Sequence, residues 1–287
     1  MSRDYAGGDG ATKPPREHHR TEHASLLPGH NGSDAALHLR KSVILLQVSP
    51  ALEAKSVPYT ILVVEPDPAS QLELKQVVVG CGYHVRCAPG ADEAFAEVMQ
   101  SNPALVLLEL MLADMDGLDL CRLLRRQSTI PIIVVTLRTS EVDRICAFEL
   151  GADDYVCKPF RPVELAWRMK ALVRTTYSNS AGSRHSPSLQ FDSLEIRPDT
   201  REVTVAGQAV HLTPKEFDLL LALAQNHERV VSSEWLLLNV WGYDDSIRTR
   251  TLDVHINRLR SKIEPDSSGP RFIQTVCGVG YSFNMVA

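Results

Sequence analysis

The chain has 287 residues, 44% of them hydrophobic and 23% charged, with a formal net charge of −5. That length exceeds one ordinary domain and predicts two folded units, and the composition is that of a globular protein. No apolar run approaches the roughly 20 residues that a membrane span requires: Val43 to Val48 is far shorter and is preceded by Arg40 and Lys41. The N-terminus shows no basic-then-apolar leader. Six cysteines, at 81, 87, 121, 146, 157 and 277, form no C-x-x-C pair. They offer neither a zinc site nor a disulfide framework and fit a reducing cytoplasm.

Residues 1–57 mix Gly, Pro, His, Ser and charges without periodicity and are expected to be a disordered extension. From Thr60 the pattern changes. Ile61–Val64, Leu105–Leu108 and Ile132–Val135 are continuous apolar runs, the signature of strands buried on both faces of a parallel sheet. Helical stretches are expected at 68–80, 91–100, 117–126, 140–149 and 162–175. The alternation predicts an α/β fold over 58–176, a five-stranded, doubly wound parallel sheet whose working site lies at the carboxyl ends of the strands.

The polar, Gly- and Pro-bearing stretch around 177–187 reads as a linker. Residues 188–287 predict a smaller α+β domain. Three β-like segments (189–196, 201–205 and 208–212) precede three helices and a Gly-bearing hairpin. The first helix opens on a capping box, Thr213-Pro214-Lys215-Glu216, with proline at the first helical position. The second is expected from Ser232 to just before Gly242, the third from Thr249 to Glu264. On the third, Leu252, Ile256, Leu259 and Ile263 make an inward apolar stripe. Neither folded half is basic overall, yet Ile247 to Lys262 holds Arg248, Arg250, Arg258, Arg260 and Lys262 against Asp253 alone. A cationic stripe on one helix is the footprint of phosphate contact.

The segments VVEPDP (63–68), LLELMLADMDG (107–117), PIIVVT (131–136) and GADDYVCKPF (151–160) resemble the signature blocks of response-regulator receiver domains. RTRTLDVHINRLRSKI (248–263) and RFIQTVCGVGYSF (271–283) resemble the recognition helix and wing of a winged helix-turn-helix. Together they resemble the OmpR/PhoB family over about 60–285. The resemblance implies a carboxylate cluster that holds magnesium, an aspartate that takes a phosphoryl group, and a threonine and lysine that bind its oxygens.

Here Thr136 and Lys158 are present, but the acids have changed. Glu65 stands at the first acidic position, Pro66 at the second, and Glu109 replaces the phosphate-accepting aspartate, while Asp67 sits one residue off. Proline offers no side-chain ligand, and the extra methylene of Glu109 moves its carboxylate by up to roughly 1.5 Å, where about 1 Å can cost on the order of 100-fold in rate. The expectation is therefore a degenerate pocket without a cofactor, without metal-assisted phosphotransfer and without enzymatic activity. Glu109 reaching Lys158 as a built-in mimic of the phosphorylated state, a pocket gated by a small molecule or partner protein, an inert pocket, and conventional phosphorylation by a histidine kinase all remain open.

Tyr155 matches the family's switch aromatic. The resemblance further implies a homodimer joined by Arg144 with Glu164, Asp153 with Arg168 and Glu149 with Lys170. On the recognition helix it assigns Arg250, Thr251, Asp253, Asn257 and Arg258 to bases. Arg248, His255 and Arg260 go to phosphates, and Lys262 and Arg271 contribute charge. Cys277 and Ser282 replace the wing cations of many members. Trp241 and Tyr243 lie where family members touch RNA polymerase, and the same loop reads equally as a helix cap with a packed tryptophan. The expected function is sequence-specific binding of double-stranded DNA at tandem direct repeats, as a dimer that recruits polymerase and activates transcription.

Overall fold

The computed structural model describes residues 59–177, 187–227, 229–242, 249–266 and 269–284. The expected N-terminal extension, most of the linker, Tyr243 and Arg248 lie outside the described residues.

The N-terminal half alternates strand and helix: β1 (Thr60–Val64), α1 (Pro68–Gly80), β2 (His84–Ala88), α2 (Ala91–Ser101), β3 (Leu105–Leu108), α3 (Gly117–Gln127), β4 (Ile132–Thr136), α4 (Glu141–Leu150), β5 (Asp154–Cys157) and α5 (Pro162–Tyr177). The strands pair in parallel in the order β2-β1-β3-β4-β5, the five-stranded sheet that the sequence predicts. Side chains alternate across each strand, so both faces are apolar. Leu62, Val64, Val106, Leu108 and Val134 pack with Ala94, Leu120, Leu124 and Phe148 of α2, α3 and α4. Ile61, Val63, Leu107, Ile133 and Val135 pack with Leu74, Val78, Leu165, Met169 and Val173 of α1 and α5. The strand order reverses between β1 and β3, where a doubly wound sheet opens a crevice at its carboxyl edge.

In the C-terminal half, β6 (Leu189–Phe191), β7 (Leu194–Arg197), β8 (Glu202–Val205) and β9 (Gln208–Ala209) form an antiparallel sheet. The single segment expected at 189–196 is broken by a turn in which Asp192 takes a positive φ of 50°. Three helices follow, α6 (Pro214–Ala224), α7 (Ser233–Leu236) and α8 (Thr249–Ile263). α6 starts with both halves of the expected capping box. α7 continues into a π-helical turn, Leu237–Trp241, closed by Gly242 at φ 81°. β10 (Val230–Ser232), which the sequence reading missed, pairs with the wing hairpin β11 (Ile273–Val276) and β12 (Gly280–Phe283) in a second sheet, ordered β10-β12-β11. This half has its own core, in which Leu252, Ile256, Leu259 and Ile263 of α8 meet Phe217, Leu220, Phe272 and Phe283. Among the described residues no helix is long and apolar enough to cross a membrane.

Candidate functional site

The sheet brings the altered acids together. Val64 of β1 lies beside Leu108 of β3, so the next residues, Glu65 and Glu109, emerge side by side at the carboxyl edge. Gly117 at the start of α3 lies tight against the chain there. A Cβ on it would come within 2.6 Å of the Glu109 carbonyl oxygen and 2.5 Å of the Leu110 Cα. From β4 and β5 come Thr136 and Lys158, held together by a 2.8 Å bond from the Lys158 amide to the Thr136 carbonyl.

Lys158 Nζ donates to Glu65 Oε2 at 2.5 Å and to Glu109 Oε2 at 2.7 Å. The other oxygen of Glu109, Oε1, accepts from the amides of Leu110 (2.7 Å) and Met111 (3.1 Å) and from the Thr136 hydroxyl. Both carboxylates are buried, at 1% and 3% exposure. Burial alone pushes the Glu109 carboxyl up, but its bonds from Lys158, Thr136 and the Met111 amide outweigh that and hold it below its ordinary value. Burial likewise depresses the Lys158 ammonium, and the two glutamates overcome this and raise it.

Magnesium needs near-octahedral oxygen ligation at close range. At the edge of β1 and β3 an ammonium already sits between the two carboxylates, and Pro66 brings no side-chain oxygen. Asp67 is committed elsewhere. It is exposed and caps α1, accepting from the Ser70 amide at 2.8 Å, and its own amide donates to Glu65 Oε1 at 3.1 Å. The residues present do not fit the metal.

Tyr155 is buried, its hydroxyl donating to the Arg138 carbonyl at 2.9 Å. The guanidinium of Arg144 lies over its ring, 5.7 Å from the centroid. The charges assigned to a dimer face are largely engaged within the chain. Asp153 is fully buried and pairs with Arg125 at 2.7 Å, not with Arg168. Arg168 instead binds the neighbouring Asp154 (2.8 Å) and Glu164 (2.6 Å), one turn before it, which takes Glu164 from Arg144. Glu149 stands exposed and Lys170 half-buried.

The recognition helix α8 lies against α4; of its assigned residues Thr251, His255 and Arg260 are buried, Arg258 and Lys262 half-buried, and Arg250, Asp253 and Asn257 exposed. Arg258 Nη1 donates to the Phe148 carbonyl at 2.5 Å, and Nη2 lies 3.0 Å from Glu216 Oε1. Val254 packs against the N-terminal core. His255, assigned to a phosphate, is closed off from one in this arrangement. It is 1% exposed, with its ring 5.1 Å from that of Phe148 and 4.9 Å from that of Trp241. Its Nδ1 meets the Thr251 carbonyl, and Nε2 is buried without a hydrogen-bond partner among the described residues.

Thr251 is buried too, so it reads no base here. Arg260 is structural: it donates to the Ile273 carbonyl (3.0 and 2.8 Å) and to Thr275 Oγ1 (2.9 Å), tying the wing to the helix. Lys262 bonds Glu216 at 2.6 Å, and Arg271 pairs with Asp192 at 3.0 Å. Asp253 accepts from the Tyr281 hydroxyl at 2.5 Å. Asn257 and Arg250 remain exposed, the latter 3.6 Å from Glu141 of α4. Trp241 is not presented to polymerase: it is 5% exposed and its Nε1 donates to the Asp153 carbonyl at 3.2 Å.

Sequence reasoning missed the residues that make this junction. They are Phe148, Glu216 (visible only as a helix cap) and Lys215, whose amide lies 3.4 Å from Asp153 Oδ1 and whose buried Nζ bonds the Val240 carbonyl.

Burial, joined by the nearby Arg258 guanidinium, holds the His255 imidazole below its ordinary 6.5. The Thr251 carbonyl and the Glu216 and Asp153 carboxylates oppose this. The folded chain then binds fewer protons there than the unfolded chain, so stability is lost as pH falls below 6.5. Urea midpoints are expected to drop between pH 7.5 and 5.5, and His255→Leu to flatten that slope. An unchanged slope in the variant would assign the loss to another group.

Two family profiles match: "Response regulator receiver domain" over residues 61–170 and "Transcriptional regulatory protein, C terminal" over 207–283. The chain is 42% identical over 221 residues to the DNA-binding response regulator MtrA of Mycolicibacterium smegmatis, covering 77% of this chain and 95% of that one. It is 39% identical over 229 residues to the transcriptional regulatory protein SrrA of Staphylococcus aureus, with 78% and 95% covered. Among solved structures, a mutant of RitR superposes with a TM-score of 0.63 at 26% identity, over 79% of this chain and all of that one.

Proposed function

The chain belongs to the OmpR/PhoB family of DNA-binding transcriptional response regulators, and from that premise we propose that it works without phosphorylation of its receiver half. The observation that carries this is Lys158 Nζ bonded to both Glu65 and Glu109. Buried carboxylates that already share an ammonium and are hydrogen-bonded present neither a metal site nor a free nucleophile. A ligand entering this pocket would have to break those bonds.

Control then falls to the contact between the halves, because Arg258 and His255 cannot meet DNA while Phe148 covers them. In the released state the protein binds tandem direct repeats as a homodimer and recruits RNA polymerase as an activator. The apolar faces of Val142, Val163 and Trp167, exposed on α4 and α5, support pairing there more than the charges do. In the test, the full chain is incubated with labelled acetyl phosphate and magnesium, and then titrated into a duplex selected from random sequence. No label on the protein and an unchanged gel-shift affinity are expected, also for Glu109→Asp, in which Pro66 still withholds the second acid. Stable label on residue 109 of the wild type would overturn the proposal.

A further inference from the structure

Away from the altered pocket, an open cleft of about 1050 Å³ lies between α5 and the end of the π-helical turn. Phe160, Val163 and Trp167 form one wall, and Trp241 with Gly242 the other. Trp167 is 68% exposed and Val163 54%, although both are large and apolar. Clefts at domain junctions that combine aromatic walls with a few polar groups are favoured small-molecule sites.

The charges at its rim are unequal. Glu164 and Arg168 bond one another, and Arg168 also holds Asp154. Arg161, on the same rim, is exposed and has no acidic partner among the described residues. A cation beside flat aromatic surfaces selects a planar aromatic group that carries a negative charge: the ring stacks on Trp167 and the anion meets the guanidinium.

We propose that this cleft binds a planar aromatic anion, a carboxylate or sulfonate, and that the bound ligand opposes DNA binding. The second half follows from the walls. Trp167 and Arg161 belong to the N-terminal half, while Trp241 and Gly242 belong to the DNA-binding half. Freeing Arg258 from the Phe148 carbonyl moves α8 away from α4 and parts those walls. A ligand that touches both walls binds the closed arrangement better, and by linkage DNA must weaken the ligand as much as the ligand weakens DNA.

The probe is 8-anilinonaphthalene-1-sulfonate, titrated by its fluorescence into the full chain, with uncharged N-phenyl-1-naphthylamine as its control. Saturable binding of the sulfonate at a single site is expected. Trp167→Ala and Arg161→Ala, both at exposed positions, should each raise its apparent Kd about tenfold, the loss of one stacking or charge contact. Arg161→Ala should leave the uncharged control unchanged. A saturating selected duplex should release the sulfonate from the wild type.

Absence of saturable binding, or equal binding by wild type and Trp167→Ala, would overturn the site. Loss with Trp167→Ala but not with Arg161→Ala would overturn its anion selectivity. Retention of the sulfonate in the presence of DNA would overturn the coupling. These outcomes are independent of whether the receiver half is phosphorylated.

Discussion

Replacing Lys158 by alanine is expected to destabilise the chain by about 3–5 kcal/mol, the cost of breaking a buried ion pair by removing one partner. The ammonium stands 2.5 Å from Glu65 and 2.7 Å from Glu109, and the two carboxylates are 1% and 3% exposed. Without it, two like charges face each other out of reach of water, and Thr136 with two amides can serve only one oxygen of Glu109. Removing a charge along with the lysine should repair most of the damage, so Lys158→Ala/Glu109→Gln is expected to be more stable than Lys158→Ala alone.

The pH dependence carries a matching sign. In the wild type, Glu109 is held below 4.5, and its contribution is lost only as pH falls from there through the folded value. Lys158 is held above 10.5, and its contribution is lost only as pH rises through that higher folded value. Between these limits the cluster adds a stability that does not vary with pH. In Lys158→Ala the deficit should narrow as acid protonates Glu109. Urea unfolding measures all of this. A Lys158→Ala variant within 1 kcal/mol of wild type, which is the worth of an exposed pair, would mean that solvent reaches the cluster and that it does not close the pocket.

What the sequence shows and what it hides divide along one physical line. Runs such as Ile61–Val64 and Leu105–Leu108 must be buried on both faces, so five strands, their crossover helices and a site at the carboxyl edge follow from pattern and topology, while residues 65, 109, 136 and 158 are picked out there by the resemblance of their motifs. The stripe Leu252, Ile256, Leu259 and Ile263 is legible for the same reason: a helix period exposes one face to a core of its own.

β10 is only three residues long, and its pairing is set by the distant Gly280–Phe283 strand, so no local pattern announces it. Harder still was the junction. Arg258 meets a backbone carbonyl 110 residues away, an acceptor that every residue possesses and no motif records. His255 and Thr251 sit beside the inward stripe and read as polar surface until a second surface covers them. The pairing of the charges is hidden similarly, since Asp153 and Asp154 are adjacent and only the fold shows that within the chain Arg125 takes one and Arg168 the other.

The DNA-binding half alone, residues 187–287, is expected to bind its site roughly 5- to 150-fold more tightly than the full chain, the usual span of coupling between two sites. Its core is its own: Phe217, Leu252, Ile256, Phe272 and Phe283 pack without help from the N-terminal sheet, so it retains a reason to fold when separated. In the full chain, any DNA contact by Arg258 must first break its bond to the Phe148 carbonyl and withdraw Val254 and His255 from α4. That work is subtracted from affinity, because only the fraction of molecules already released can bind.

A milder release tests the same point without cutting the chain. Glu141 lies 3.6 Å from Arg250 at the edge of the contact, and both are exposed. Glu141→Lys replaces attraction by repulsion at a position with no role in either core, and should move the affinity of the full chain part of the way toward that of the isolated half. Its effect should shrink at high salt, as exposed charges are screened. Equal affinity of the isolated half and the full chain would show that the halves separate freely in solution. Control of this regulator would then have to be sought on the DNA or in its pairing with a second copy.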